Sequence, residues 1–159
     1  LSPAASDADE QLLAAIQRLG RLMGSPQVAR RMAGAAGAEV SQQGVQIIRA
    51  LHRSGETPIA GLATGAHMDI SAVSRQLRPL EEAGLVRRAA AKTDGRVALV
   101  SLTRSGTKLA ERIRAVGIRH LNDALADWDV ADRAELARLL GRLADDFAHT
   151  SLVPGKTVD

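Results

Sequence analysis

Six side chains in one short span could do chemistry together: Ser71, Ala72, Ser74, Arg75, Gln76 and Arg78. They interleave with Val73, Leu77 and Leu80, whose steps of four and three place one apolar stripe on a helix. The pattern predicts a helix over about Ser71–Ala83. Its other face offers two small hydroxyls, a carboxamide and two guanidinium groups. These are the groups that read the edges of stacked bases in a major groove. Arginine donates twice to guanine O6 and N7, glutamine pairs with adenine, and small residues let a helix approach closely. The plain alternative for Arg75 and Arg78 is a solvated helix surface, and for Ser71 a simple helix cap.

Such a helix needs elements to hold it. Thr57-Pro58 predicts the start of a preceding short helix at Thr57, with a capping oxygen followed by a residue suited to the first helical position. Gly65 is expected to end it through a positive φ, leaving Ala66, His67 and Met68 as the turn. Beyond the stop at Gly84, Leu85 to Ala91 reads as extended, Lys92-Thr93-Asp94-Gly95 as a turn, and Arg96 to Leu102 alternates as a strand. The product is helix, turn, helix and a two-stranded ribbon with cations at base and tip. Lys92 and Arg96, with Arg88 as a third, suit phosphates or a narrow minor groove, whose negative potential attracts arginine. Arg87 and Arg88 have a second reading, in which one of them anchors the ribbon by an ion pair.

At this point the chain resembles the multiple-antibiotic-resistance regulator (MarR) family of winged-helix transcription factors. The resemblance is carried by AVSRQLRPLEEAGLVRR from Ala72 to Arg88, by Asp94-Gly95-Arg96, and by LTRSG from Leu102 to Gly106, and it covers roughly Ala8 to Ala148. It implies a mainly α fold with a small β-hairpin wing, in which residues 41–104 form the winged helix-turn-helix of a single domain spanning 1–159. It also implies a homodimer on double-stranded DNA, acting most simply as a repressor that a small-molecule effector relieves. In the family the wing aspartate orients the wing arginine, roles that fall to Asp94 and Arg96. Family ligands sit between the dimer helices and the DNA-binding lobe, which makes Arg49, His52 and His67 the candidate effector contacts. Two departures stand out. Gly95 replaces the first arginine of an Asp-Arg-Arg run, and Pro79 lies inside the recognition helix, where a proline costs about 3 kcal/mol or bends the helix.

Outside this segment, an N-terminal helix is expected after Ser6, with Asp7, Asp9 and Glu10 in a first turn that favours negative charge. Leu12, Ile16, Leu19 and Met23 form its apolar face, Ser25-Pro26 breaks it, and a Gly/Ala-rich piece follows to Ala38. Another helix from Ser41 to Leu51 turns Val45, Ile48 and Leu51 inward. Thr103 caps a helix running to about Asp123, and Asp129 caps a last one striped by Leu136, Leu139, Leu140, Leu143 and Phe147. These outer helices, 7–38 and 105–149, carry more apolar surface than one winged-helix core needs. The expectation is a homodimer built from them, setting two recognition helices about 10 bp apart on a pseudo-palindrome.

Charge supports this division. Ser71–Arg104 holds seven basic and three acidic residues, a net +4, whereas His120–Asp159 holds four basic and eight acidic, a net −4. One end suits phosphates and the other avoids them. The absence of cysteine excludes disulfides, thiolate metal sites and thiol-based sensing. His52, His67, His120 and His149 match no compact metal-ligand spacing, and Met23, Met32 and Met68 read as gap fillers. No apolar run reaches the ~18 residues of a membrane span and the opening residues lack a secretion signal, so a cytoplasmic protein without membrane contact is expected. No nucleophile, base and orienting group share a motif, so neither an enzyme nor a cofactor is expected. The competing reading is a winged-helix protein-interaction module that never touches DNA, whose binding would ignore salt.

Overall fold

The computed structural model describes residues 3–37, 39–91 and 97–150. In chain order these form α1 (Pro3–Met23), α2 (Pro26–Ala35), α3 (Gln42–Ser54), β1 (Thr57–Pro58), α4 (Ile59–Ala66), α5 (Ile70–Glu82), β2 (Val86–Ala90), β3 (Ala98–Leu102), α6 (Arg104–Ala124) and α7 (Val130–His149). The chain divides into two compact units, one up to Ile118 and one from Arg119.

The core of the first unit is aliphatic. Ile47, Ile48 and Leu51 of α3, Leu62 of α4, Val73 and Leu77 of α5, Val100 of β3 and Ile113 of α6 are its largest fully buried side chains. Each contributes about 1.5–3 kcal/mol by leaving water. The predicted stripe of Val73, Leu77 and Leu80 is therefore the inner face of α5, packed against α3 and α4. Helix α5 runs without a break through Pro79. The missing amide hydrogen falls in the last turn of the helix, after the turns that carry the candidate reading residues.

Both helices of the helix-turn-helix end in the same hydrogen-bonded closure. At the end of α5, Leu85 N donates to Leu80 O and Gly84 N to Glu81 O, with Gly84 at φ 67°. At the end of α4, Met68 N donates to Ala63 O and His67 N to Thr64 O, with His67 at φ 52°. This is the Schellman arrangement, which requires a left-handed residue just past the helix. Gly65 was the expected stop for α4, but it lies inside the helix, and the left-handed position falls to a histidine.

The expected start of α4 also moves. Thr57 precedes a proline, which drives its backbone toward the extended region. Thr57 and Pro58 accordingly pair with Val100 and Leu99 as a third strand, in the order β1-β3-β2, and the helix begins at Ile59. Proline is tolerated there because β1 lies at the sheet edge. The wing is thus part of a three-stranded antiparallel sheet, with β2 and β3 in register from Val86↔Leu102 to Ala90↔Ala98. Two N-terminal details differ as well. Helix α1 starts at Pro3, so Asp7, Asp9 and Glu10 fall beyond its first turn, and most of the Gly/Ala-rich piece is helical as α2, with Pro26 in its first turn.

The LTRSG segment acts as a joint. Thr103 Oγ1 donates to Gly84 O at 2.6 Å and accepts from Gly106 N at 3.1 Å, capping α6 while holding the end of α5. Thr103 N donates to Leu85 O at 3.0 Å. Helix α6 comes so close that a Cβ on Gly106 would lie 2.0 Å from Leu85 O, a position no side chain can occupy.

In the second unit, Asp129 Oδ1 accepts from Asp132 N at 2.7 Å and caps α7 as expected. Arg133 Nη2 donates to Leu125 O across the intervening turn. No residue of α7 is buried within the chain.

Candidate nucleic-acid interface

Helix α5 carries two opposed faces. Val73, Leu77 and Leu80 fix its rotation against the core, and that rotation leaves Ser71, Ser74, Arg75 and Arg78 exposed, with Ala72 and Gln76 at the margin. Arg75 has no carboxylate partner among the described residues. Arg78 Nε lies 2.9 Å from Glu82 Oε1, one turn on, with both side chains well exposed. Such a pair contributes under about 1 kcal/mol, so Arg78 can exchange Glu82 for another anion at little cost.

The wing base behaves differently. Arg88 Nε sits 3.0 Å from Glu81 Oε1, tying β2 to α5, with both side chains about one-third exposed. Arg87 Nε donates to Ser101 Oγ at 3.1 Å across the hairpin pair Arg87↔Ser101. The anchoring role left open for these two arginines is therefore filled by Arg88, which aligns wing and recognition helix. Lys92, Asp94 and Arg96 lie outside the described residues, and the hairpin is described as far as the bond from Ala91 N to Val97 O at 2.8 Å.

Gln76 has a partner on α3 that its position on α5 does not announce. Ser41 Oγ donates to Gln76 Oε1 at 2.6 Å while accepting from Gly44 N at 3.0 Å, so one hydroxyl caps α3 and holds the carboxamide of α5. The first signal, a serine before an amphipathic run, is visible in sequence. The second spans 35 positions and is not.

Beside the start of α5 runs an open groove lined by Gln43 and Gln46 of α3, Ala60, Ala63 and Thr64 of α4, the turn residues His67, Met68 and Asp69, and Ile70, Ser71 and Ala72. Its polar side chains are exposed and adjoin the reading face. Sequence reasoning missed Gln43, Gln46 and Thr64, whose signal is only that they occupy the polar sides of short helices. Of the three candidate effector contacts, His67 lines this groove, and Arg49 and His52 are exposed on α3 outside its lining. Among the described residues, no group of three or more His, Asp or Glu could hold a metal ion, and no helix is long and apolar enough to cross a membrane.

Comparison with known proteins agrees with this geometry. Residues 40–98, from the start of α3 into the wing, match the MarR family. YxaD of Bacillus subtilis, described as an uncharacterized HTH-type transcriptional regulator, is 29% identical over 101 residues, covering 64% of this chain and 71% of its own. YdgJ of the same organism, described in the same words, is 28% identical over 108 residues, covering 68% and 66%. Among solved structures, a MarR family protein from Bacillus stearothermophilus superposes with a TM-score of 0.74 at 18% identity, over 87% of this chain and 97% of that one. The matched segment is the one that builds the helix-turn-helix and the base of the wing, and the fold extends the likeness over the outer helices. Residues 40–98 of this chain thus match the MarR family, and its fold is that of a solved MarR family protein.

Proposed function

We propose that this protein is a cytoplasmic regulator that binds a pseudo-palindromic operator in double-stranded DNA as a homodimer, and that it represses transcription until a small molecule releases it. The observation that carries the reading is the exposed face of α5, where Ser71, Ser74, Arg75 and Arg78 stand opposite three fully or almost fully buried aliphatic residues. In this reading Ser71, Ala72, Ser74, Arg75, Gln76 and Arg78 enter the major groove. Arg88, Lys92 and Arg96 serve the wing, with Asp94 orienting Arg96. Gln43, Gln46 and Thr64 flank the same face and supply neutral hydrogen-bonding groups for the adjoining sugar-phosphate strand.

Release by an effector is a population shift, since a ligand moves an equilibrium only through a difference in affinity for two states. The groove at His67 offers one route, because a molecule lodged there would cover Ser71 and Ala72. Selection from a random duplex pool, followed by titration at two salt concentrations, tests the reading. An inverted repeat with half-sites about 10 bp apart and steeply salt-dependent affinity is expected. Absence of binding even at low salt would overturn it in favour of a protein-interaction module.

A further inference from the structure

We propose that Ser41 sets the base preference of Gln76, so that Gln76 meets the groove as a hydrogen-bond donor and does not pair with adenine through both ends of its amide. The inference rests on the reading of α5 as the groove-facing helix. A serine hydroxyl has one hydrogen to give, and here it goes to Gln76 Oε1 at 2.6 Å, while a lone pair of the same oxygen accepts from Gly44 N at 3.0 Å. The hydroxyl is therefore committed on both sides.

A glutamine recognises adenine by accepting from N6 and donating to N7 together. That pairing needs Oε1 and Nε2 presented side by side, and Oε1 of Gln76 is drawn back toward α3. The Nε2 group remains, and it is a donor only. It suits bases that present acceptors without a neighbouring donor in the major groove, guanine through N7 and O6 and thymine through O4; adenine offers N7 alone beside an N6 amino group left without its acceptor, and the amino group of cytosine is mismatched.

Gly44 brings the hydroxyl within reach. A Cβ at that position would lie 3.3 Å from Ser41 Oγ and 3.3 Å from Leu80 Cδ2, so the missing side chain lets the first turn of α3 approach α5. The rotation of α5 does not depend on this contact, because Val73 and Leu77 are fully buried. Ser41 thus orients a side chain and leaves the helix where it is. It is a positioning residue, and the group it positions faces the DNA.

The test uses the full chain and the operator recovered from a random pool. The base pair whose preference relaxes in Gln76→Ala is varied through all four bases, and relative affinities are measured for the native protein, Ser41→Ala and Ser41→Thr. The native protein should favour guanine or thymine there. Ser41→Ala, with its amide released, should raise adenine relative to the native preference by roughly fivefold or more, and Ser41→Thr, which keeps the hydroxyl, should retain the native profile. Loss of the α3 cap lowers all four affinities together, so the ratios isolate the orienting role. A native preference for adenine, an unchanged profile in Ser41→Ala, or no position relaxed by Gln76→Ala would each overturn the inference while the regulator reading stands. A pool that enriches no sequence would bring down that reading, and this inference with it.

Discussion

Helices α3 and α7 are both amphipathic, and their fates in the chain differ. α3, with 13 residues, buries Gly44, Val45, Ile47, Ile48, Ala50 and Leu51. α7, with 20 residues, buries none, although it carries four leucines and a phenylalanine, and Phe147 remains 61% exposed. The apolar face of α3 is met by α2, α4, α5 and β3. α1 resembles α7, with Leu12, Leu13, Leu19 and Leu22 about half exposed. An amphipathic pattern states that a face is to be covered and says nothing of what covers it. Helices draw most of their stability from packing on such a face, so in the proposed homodimer the uncovered ones are where the second copy would dock.

The largest expected effect falls on the covered side of this contrast. Gly106→Ala places a methyl 2.0 Å from the Leu85 carbonyl oxygen, and neither backbone can yield without breaking the bonds Thr103 makes to Gly84 and Leu85. Overpacking usually costs about 1–3 kcal/mol, and a clash with backbone belongs at or above the upper end of that range. Urea unfolding should show the midpoint falling accordingly. A variant as stable as the native protein would mean that α6 does not approach Leu85 this closely in solution.

The uncovered side is broken by charge. Leu139 and Leu140 are about half exposed in the single chain, so replacing both with lysine, a good helix former, should leave each chain folded. If they form the dimer seam, the loss should be roughly 2–4 kcal/mol of association, seen as a monomer in sedimentation at concentrations where the native protein is dimeric. Native-like dimerisation in this variant would move the seam elsewhere. Removing residues 1–24 tests α1 in the same way, and a stable dimer with full operator affinity would remove α1 from the interface.

How much of this was legible beforehand follows from how far apart the interacting residues lie. The stripe Val73, Leu77, Leu80, the stop at Gly84 and the caps at Thr103 and Asp129 depend on neighbours a turn or two away, and all were readable. Thr57 was misplaced because its strand partner, Val100, belongs to the far side of the hairpin. Ser41 caps α3 while Gln76 lies on α5, and only packing discloses that they meet. Glu81 and Arg88 are near in sequence, yet their pairing required knowing how β2 leaves α5. The candidate reading face was legible as a list of residue types. Which of those groups are committed to partners within the protein was not.

A smaller effect sharpens the contrast between committed and open cations. Arg75→Ala removes an exposed guanidinium with no partner among the described residues and should cost roughly 1–3 kcal/mol on the selected operator, with relaxed preference at one base pair. Arg88→Ala removes a group held by Glu81 and should weaken binding through wing alignment, without relaxing any single base. Competition with operators altered one pair at a time separates the two. Equal loss on all sequences for Arg75→Ala would contradict its base contact.

The smallest effect compares the two closures of the helix-turn-helix. Both demand a left-handed residue, and Gly84 meets the demand freely while His67, at φ 52°, carries a β-carbon into a region that disfavours one. His67→Gly relieves that strain, although glycine also loses more conformational freedom on folding, so the net gain should be about 0.5 kcal/mol. A rise of a few degrees or less in Tm is expected. If operator affinity falls in the same variant, the strained histidine is held for the groove it lines with Ser71 and Ala72, and strain at this turn is tolerated because the side chain is used. If Tm rises and affinity is unchanged, His67 has no part in binding, and the closure of α4 is merely a less favourable version of the closure of α5.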